Sequence, residues 1–447
     1  MRVHGPAATG VVTATATRRS TVVGIGLWGA VIVAARLIGI PYVASHDTPL
    51  AVDAVPWVGQ WTWASSRLAA LVVAAIAGAI ALWWLPVLVR RWAWPAVLLA
   101  VSTTTASLTW LLARASPEVY RWRSIQWGYG QHTDLVEAIG PAEYLRTYVE
   151  VQPSLGGHLR AHPPGFVLSL WSFERVGLEG TGFHLALMLV AGAVASLAAL
   201  VAMRAVAGDE PARAAAPFVA IAPVLVWRTN PDVVFGAVAL VGVALALVAV
   251  TRADRWSPPA AVAGGFVFAL ALMLSYGVAL LALPVVAVAV ARRAWRPLAL
   301  VCLGGVAGLA LPFAWGFWWL AGLAETERQY RLSLSRVRGY RYWLLGNAAT
   351  FLGLIGPATV AALTRLRALP GRVLIGAAVA CPILAGISGM SSAETERIWQ
   401  PFVPLVLLAG AGLWFTGGRW NVRAARFWLA VQFVVAIGFQ AFLVSPW

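Results

Sequence analysis

Long apolar runs separated by short polar connections organise the chain from end to end. Thirteen such runs fall near 21–44, 66–88, 94–114, 181–206, 214–229, 233–251, 259–274, 276–292, 297–320, 343–363, 372–390, 399–417 and 426–445. Most match the length a helix needs to cross roughly 30 Å of hydrocarbon. The ten-residue alternation of a membrane β-barrel is missing, so the runs predict helices. The expected fold is therefore all-α: a polytopic bundle of about 13 transmembrane helices. A polar tail ending in Arg18-Arg19 precedes the first run, which is too long for a signal-peptide core and reads as an uncleaved helix.

Arginines in the short connections set the expected orientation. With the N-terminus inside, the inner connections carry Arg90-Arg91, Arg204 to Arg213, Arg252 to Arg255, Arg292 to Arg296, Arg365 to Arg372, and Arg419 to Arg426. Thirteen crossings then put the C-terminus outside. The scheme treats the apolar piece 164–176, which carries Glu174 and Arg175, as half-buried or re-entrant rather than spanning. Two connections on the outer side are long, 115–163 and 321–342, and a third, 391–398, is short and charged. In a compact protein such loops are functional or disordered, and the first is too rich in Tyr, Trp and Arg for disorder.

Composition agrees with the pattern. Of 447 residues, 60% are hydrophobic and 11% charged, less than half the charged share usual in soluble domains. The net charge of +16 comes entirely from arginine, with no lysine present. Most arginines sit beside apolar runs, where they set topology and meet lipid headgroups, so nucleic acid is not an expected partner. Cys302 and Cys381 lie inside apolar runs, and no structural disulfide is expected.

Candidate chemistry collects in the outer connections. Asp134 opens an amphipathic stretch with Leu135, Ile139, Tyr144, Leu145 and Tyr148 on its apolar positions, which predicts short helices lying in the interface. The loop closes on His162-Pro163-Pro164-Gly165. Asn230-Pro231-Asp232 places an acid at the outer end of a span, and Glu394-Thr395-Glu396-Arg397 precedes Pro401 and Pro404. Arg328, Arg331, Arg336, Arg338 and Arg341 crowd the second outer loop against the usual charge bias, and Arg397 joins them. An anionic group on that face would explain the exception.

An acid in a large outer loop, juxtamembrane helices and an HPPG turn together resemble the GT-C glycosyltransferases. The resemblance is closest to their protein-mannosyltransferase and aminoarabinose-transferase branch, with the related actinobacterial mannosyl- and arabinosyltransferases. The Leu274-Ser275-Tyr276-Gly277 turn and the E-x-E-R sequence at 394–397 are similar to family features. The resemblance covers about 94–417 as a catalytic core, flanked by an N-terminal tail with two helices in 1–93 and by a last helix in 418–447. It implies an enzyme of the cytoplasmic membrane that moves a sugar, mannose or arabinose, from a polyprenyl-phosphate donor to a glycan, lipid or protein acceptor on the outer face. Asp134, His162 and Asp232 would serve catalysis, and Arg328, Arg331, Arg338 and Arg397 the donor phosphate. His132, Tyr144, Pro163, Pro164, Glu394 and Glu396 would position the loops. The sequence departs from the family in its second acid: the candidates are only Glu137, Glu143 and Glu150, and none matches it plainly.

The residues also carry plainer readings. Asp134 and Asp232 suit helix starts as caps. The outer arginines suit headgroups. His162 has no His or Cys partner at metal-ligand spacing, so no metal site is expected, although a divalent ion could assist the family reaction. Arg36, inside the first run, either snorkels to the surface or pairs with a buried acid. No nucleotide-binding glycine loop is present. A transporter or flippase of lipid-linked sugar is the competing function. Acids grouped at loops and span ends, without a visible two-fold repeat, favour the enzyme.

Overall fold

The computed structural model describes residues 7–46, 52–117, 123–333 and 336–447. The parts of the predicted tail and long loops at 1–6, 118–122 and 334–335 lie outside the described residues. Among the described residues eight helices are long and apolar enough to cross a membrane: Arg19–Ala44, Ser65–Arg91, Trp94–Ala113, Gly180–Ala207, Asp232–Thr251, Trp295–Ala314, Tyr340–Leu363 and Val422–Phe442. Three shorter apolar helices join them, Ser257–Leu272, Tyr276–Arg292 and Arg372–Ile387. The chain is a multi-pass helical membrane protein. Its strands among the described residues are two short antiparallel pairs, Gln60–Trp61 with Leu443–Val444 and Phe415–Thr416 with Arg419–Trp420.

Helix Tyr340–Leu363 kinks at Gly356, where φ is 71° and ψ 168°, and two other predicted spans are broken more deeply. The run 214–229 is helix Asp209–Ala220, a break, and a 3-10 turn Pro223–Trp227. Pro223 disfavours helical backbone in the residue before it, and Ala222 is extended, with φ −152° and ψ 159°. The run 399–417 begins as 3-10 turn Gln400–Phe402, helix Val403–Leu407 and 3-10 turn Leu408–Leu413, with Pro401 and Pro404 each near the start of a short piece. Irregular backbone survives at membrane depth only where protein surrounds it. Every residue from Ile221 to Asp232 and from Trp399 to Phe415 is buried. These broken segments form the bundle's centre, and helices such as Ser65–Arg91 and Trp295–Ala314 face outward.

Other boundaries move. The first helix, Ala7–Ala44, takes in described residues of the predicted polar tail. The run 297–320 stops at Ala314, after Pro312, and most of the predicted loop 321–342 is helix, Trp319–Leu332. The piece 164–176 is a ten-residue helix, Gly165–Glu174, too short to span. Glu137 holds it to the juxtamembrane helix Thr133–Ile139, accepting from Trp171 Nε1 at 2.7 Å and Arg175 Nη1 at 2.9 Å.

Small residues allow the closest helix contacts. A side chain at Gly265 would run into the Val301 carbonyl, and one at Gly304 into that of Val262, so these glycines bring Ser257–Leu272 and Trp295–Ala314 together. The first helix lies along Tyr340–Leu363, where Trp28 Nε1 donates to Leu352 O at 2.9 Å and Tyr342 Oη to Ala35 O at 3.1 Å.

The connections sort to two ends. At one, Gln152 Nε2 donates to Thr326 Oγ1 at 2.7 Å, Val58 N to Glu396 Oε1 at 2.9 Å, and Arg338 Nη1 to Ser392 O at 2.9 Å. The three charged outer loops of the sequence scheme therefore do share an end. At the other, Arg213 Nη1 donates to Val89 O at 2.9 Å, Arg292 Nη2 to Val206 O at 2.8 Å, and the Arg90 guanidinium lies 5.8 Å from the Trp420 ring centre.

Candidate functional site

The loop end holds a buried chain of alternating charge. Asn230 starts it: its side-chain oxygen accepts the Asp232 backbone N–H at 2.9 Å, which folds the Asn-Pro-Asp turn and sets Asp232 on the first residue of helix Asp232–Thr251. A carboxylate is favoured there by the helix dipole. Asp232, only 2% exposed, accepts from Arg397 Nη1 at 2.9 Å through Oδ2. Arg397 Nη2 donates to Glu394 Oε2 at 2.6 Å, and Arg338 Nη1 approaches Glu394 Oε1 at 3.4 Å. Two carboxylates and two guanidiniums thus alternate, which lets the group stay charged while buried.

The turn carrying Glu394 is strained. Ala393 and Glu394 have φ of 69° and 61°, and left-handed backbone costs a non-glycine residue about 1–2 kcal/mol. Asn347 brackets the turn, donating to Ser391 O at 2.7 Å and accepting from Ala393 N at 3.3 Å. Burial disfavours ionisation of Glu394, but Arg397 and Arg338 outweigh it and hold its carboxyl down at about 2.

His158 faces the same arginine. Its Nδ1 lies 3.2 Å from Arg397 Nη2, which can only donate, so Nδ1 is the acceptor and the neutral ring carries its proton on Nε2. The Arg397 charge and burial lower its pKa to about 4. The Arg397 guanidinium also lies 4.9 Å from the Trp447 ring centre.

Beside this chain is a cavity of about 210 Å³, lined by Trp127, Tyr129, His158, Pro231, Arg397 and Trp447 among others. The Tyr129 hydroxyl is buried and has no hydrogen-bond partner among the described residues. Burial and the Asp232 charge push its pKa up, so it remains a donor. Asp232 Oδ1 accepts no hydrogen bond from the described residues. The cavity therefore offers a guanidinium, an imidazole and aromatic walls; Asp232 is bonded to that guanidinium rather than lining the cavity, and the Tyr129 hydroxyl is buried.

Glu396 points elsewhere. Fully buried, it accepts from Val58 N at 2.9 Å and Trp447 Nε1 at 3.3 Å through Oε1, and Oε2 has no partner among the described residues. Burial pushes its pKa up to about 7.

The sequence candidates divide. Asp232, Arg338, Glu394 and Arg397 converge, with Glu396 directly behind them. Asp134 is exposed on helix Thr133–Ile139 and makes no hydrogen bond with a described residue. Arg328 and Arg331 are exposed on helix Trp319–Leu332, paired to Glu325 at 2.7 Å and Glu327 at 2.6 Å, away from the cavity. His132 is half-buried beside Gln131, at 3.5 Å. His162 is buried as a packing residue: Nδ1 bonds His158 O at 2.8 Å, its own carbonyl accepts from Tyr148 Oη at 2.7 Å, and its ring lies edge-on to Tyr129. Tyr144 packs against Tyr148, and Pro163 and Pro164 are buried in the turn. Gly165 closes that turn by donating to Met273 O at 2.9 Å, where any side chain would strike the same carbonyl. His158, Tyr129, Asn347 and Trp447 were not among the sequence candidates. No three His, Cys, Asp or Glu side chains group at metal-binding distance among the described residues.

Fold and site together define a multi-pass helical membrane protein with a buried charged chain beside an aromatic cavity at its loop end. No protein-family model, curated protein or solved structure matches the chain.

Proposed function

We propose that the protein is a membrane glycosyltransferase that takes a sugar from a polyprenyl-phosphate donor and passes it to an acceptor hydroxyl at the outer face of the cytoplasmic membrane. In this reading the N-terminus lies inside and the loop end outside. The observation that carries it is the cavity at the loop end that Arg397, Tyr129 and His158 line, with Asp232 hydrogen-bonded to that arginine. The acceptor hydroxyl must lose a proton as it attacks the anomeric carbon, and in this reading Asp232, hydrogen-bonded to Arg397 beside the cavity, takes it through Oδ1, the oxygen that accepts no bond from a described residue. Arg397 supplies positive charge for the leaving phosphate, with Glu394 and Asp232 fixing its orientation. Tyr129 and His158 Nε2–H supply donors for sugar oxygens. Asp232 thereby takes the base role that sequence gave first to Asp134.

The test is transfer of labelled mannose or arabinose from a short-chain polyprenyl phosphate by the protein in vesicles. Asp232→Asn should slow transfer by about 10²–10⁴-fold and leave donor binding intact, while Asp134→Asn stays near wild type. Donor crossing the bilayer with no sugar transferred would replace this reading with the flippase.

A further inference from the structure

An apolar groove of about 430 Å³ runs between the first helix, Ala7–Ala44, and the last, Val422–Phe442. Trp28, Val33 and Leu37 form one wall, and Val435, Phe439 and Phe442 the other. Trp57 and Trp61 close it from the segment that follows the first helix. One charged residue lines it, Arg36.

A cation in a membrane helix normally faces a carboxylate, an aqueous cavity or a headgroup. Arg36 has no carboxylate within ion-pair distance among the described residues. Its Nη1 donates to Val55 O at 2.9 Å, and its guanidinium stands 5.9 Å from the Trp61 ring centre. A guanidinium has five N–H groups, so most of its donors are left for a ligand. Arg36 sits eight residues before Ala44, the helix end, which is about 12 Å along the axis and within snorkelling reach of the headgroup layer.

The occupant is not the donor of the proposed reaction. The groove shares no lining residue with the Arg397 cavity. Between them stands the segment around Trp57, pinned by Val58 N–H on Glu396 and by the pairing of Gln60–Trp61 with Leu443–Val444. A chain in the groove would hold its phosphate on Arg36, apart from Arg397.

We infer that the groove binds an anionic glycerophospholipid, with its phosphate on Arg36 and one acyl chain along Val33, Leu37, Val435 and Phe439. The charge supplies the selectivity, because apolar walls alone hold any lipid chain equally. This inference is independent of the proposed transfer reaction.

The experiment is native mass spectrometry of the full chain in detergent with equal phosphatidylglycerol and phosphatidylcholine of matched chains. Phosphatidylglycerol should be retained by about tenfold or more over phosphatidylcholine. Arg36→Gln should abolish that preference, and Arg296→Gln, an exposed arginine at the other end, should not. Gly438→Phe supplies a second variant: Gly438 lines the groove, and a Cβ at that position would meet nothing within 4 Å, so the ring fills the space without disturbing Arg36. It should reduce retention of both lipids. Equal retention of the two lipids by the wild type, or a preference unchanged in Arg36→Gln, overturns the inference. Displacement of bound phosphatidylglycerol by equimolar polyprenyl phosphate also overturns it and gives the groove to the donor.

Discussion

Arg397 joins the two carboxylates of the charged chain, Asp232 and Glu394, and its removal has a calculable consequence. Arg397→Gln leaves Asp232, with 3% of its side chain exposed, facing no cation, and leaves Glu394 with Arg338 alone at 3.4 Å. Removing one partner of a buried ion pair costs about 3–5 kcal/mol, because the remaining charge stays desolvated. Asp232→Asn is milder. Arg397 keeps Glu394 at 2.6 Å, and losing one hydrogen bond to a charged group costs about 1.5–3 kcal/mol. In the double variant no acid at 232 is left exposed to the missing arginine, so the combined loss should fall short of the sum by about 0.5–3 kcal/mol. The assay is a denaturant or heat titration in detergent, read by the folded fraction surviving size exclusion, on wild type, both single variants and the double variant. Arg397→Gln as stable as wild type would refute the reasoning. So would additivity within about 0.5 kcal/mol, since it would mean that Asp232 and Arg397 do not interact in the folded protein.

Three further outcomes follow from the same geometry. Gly165→Ala should destabilise the protein by about 1–3 kcal/mol, because its Cβ meets Met273 O and breaks the bond that closes the His-Pro-Pro turn; an unchanged unfolding midpoint would show that the turn adjusts freely. Ser154→Cys and Ser333→Cys, both at exposed positions of the two long loops, should react alike with an impermeant thiol reagent on intact cells once Cys302 and Cys381 are replaced; labelling of one alone contradicts their common end. Glu396 and His158 should give opposed pH dependences: an acid raised from 4.5 to about 7 loses stability as pH rises through that window, whereas a histidine lowered from 6.5 to about 4 gains stability from pH 4 to 6.5. The two offset in the wild type, so Glu396→Gln, which keeps an acceptor for Val58, should reveal a stability that climbs between pH 4 and 6.5; a profile matching wild type would remove Glu396 from the titration.

What could be read in advance, and what could not, follows from the range of each signal. Apolar length is local, so the eleven apolar helices among the described residues coincide with predicted runs. Ion pairing across 165 residues is not local, and the Asp232–Arg397 contact was invisible although both residues were marked as candidates. His158 and Trp447 join the site only through that contact. Part of the pairing in the arginine-rich outer loop was recoverable from sequence. Once 319–332 is read as helix, Glu325 and Glu327 stand three and four residues before Arg328 and Arg331, the spacing of ordinary surface pairs. Two of the five arginines there, Arg328 and Arg331, are neutralised on their own helix, while Arg338 and Arg397 are buried. The two broken spans were the deeper failure. A hydropathy window measures transfer of side chains and is blind to backbone continuity, so a lipid-bathed helix and a buried, interrupted one score alike. The signal was the prolines, Pro223, Pro401 and Pro404, inside runs otherwise apolar enough to cross. Those breaks lie beside the charged residues: Pro223–Trp227 leads into Asp232, and Thr395–Ile398 carries Arg397 into Gln400–Phe402. A continuous helix would have satisfied its own backbone and run straight past the cavity. Interrupting two of them in the protein interior gives Asn230 a turn to form and brings carboxylates and arginines from distant segments to one point, so the departure from regular helix and the candidate chemistry share a cause.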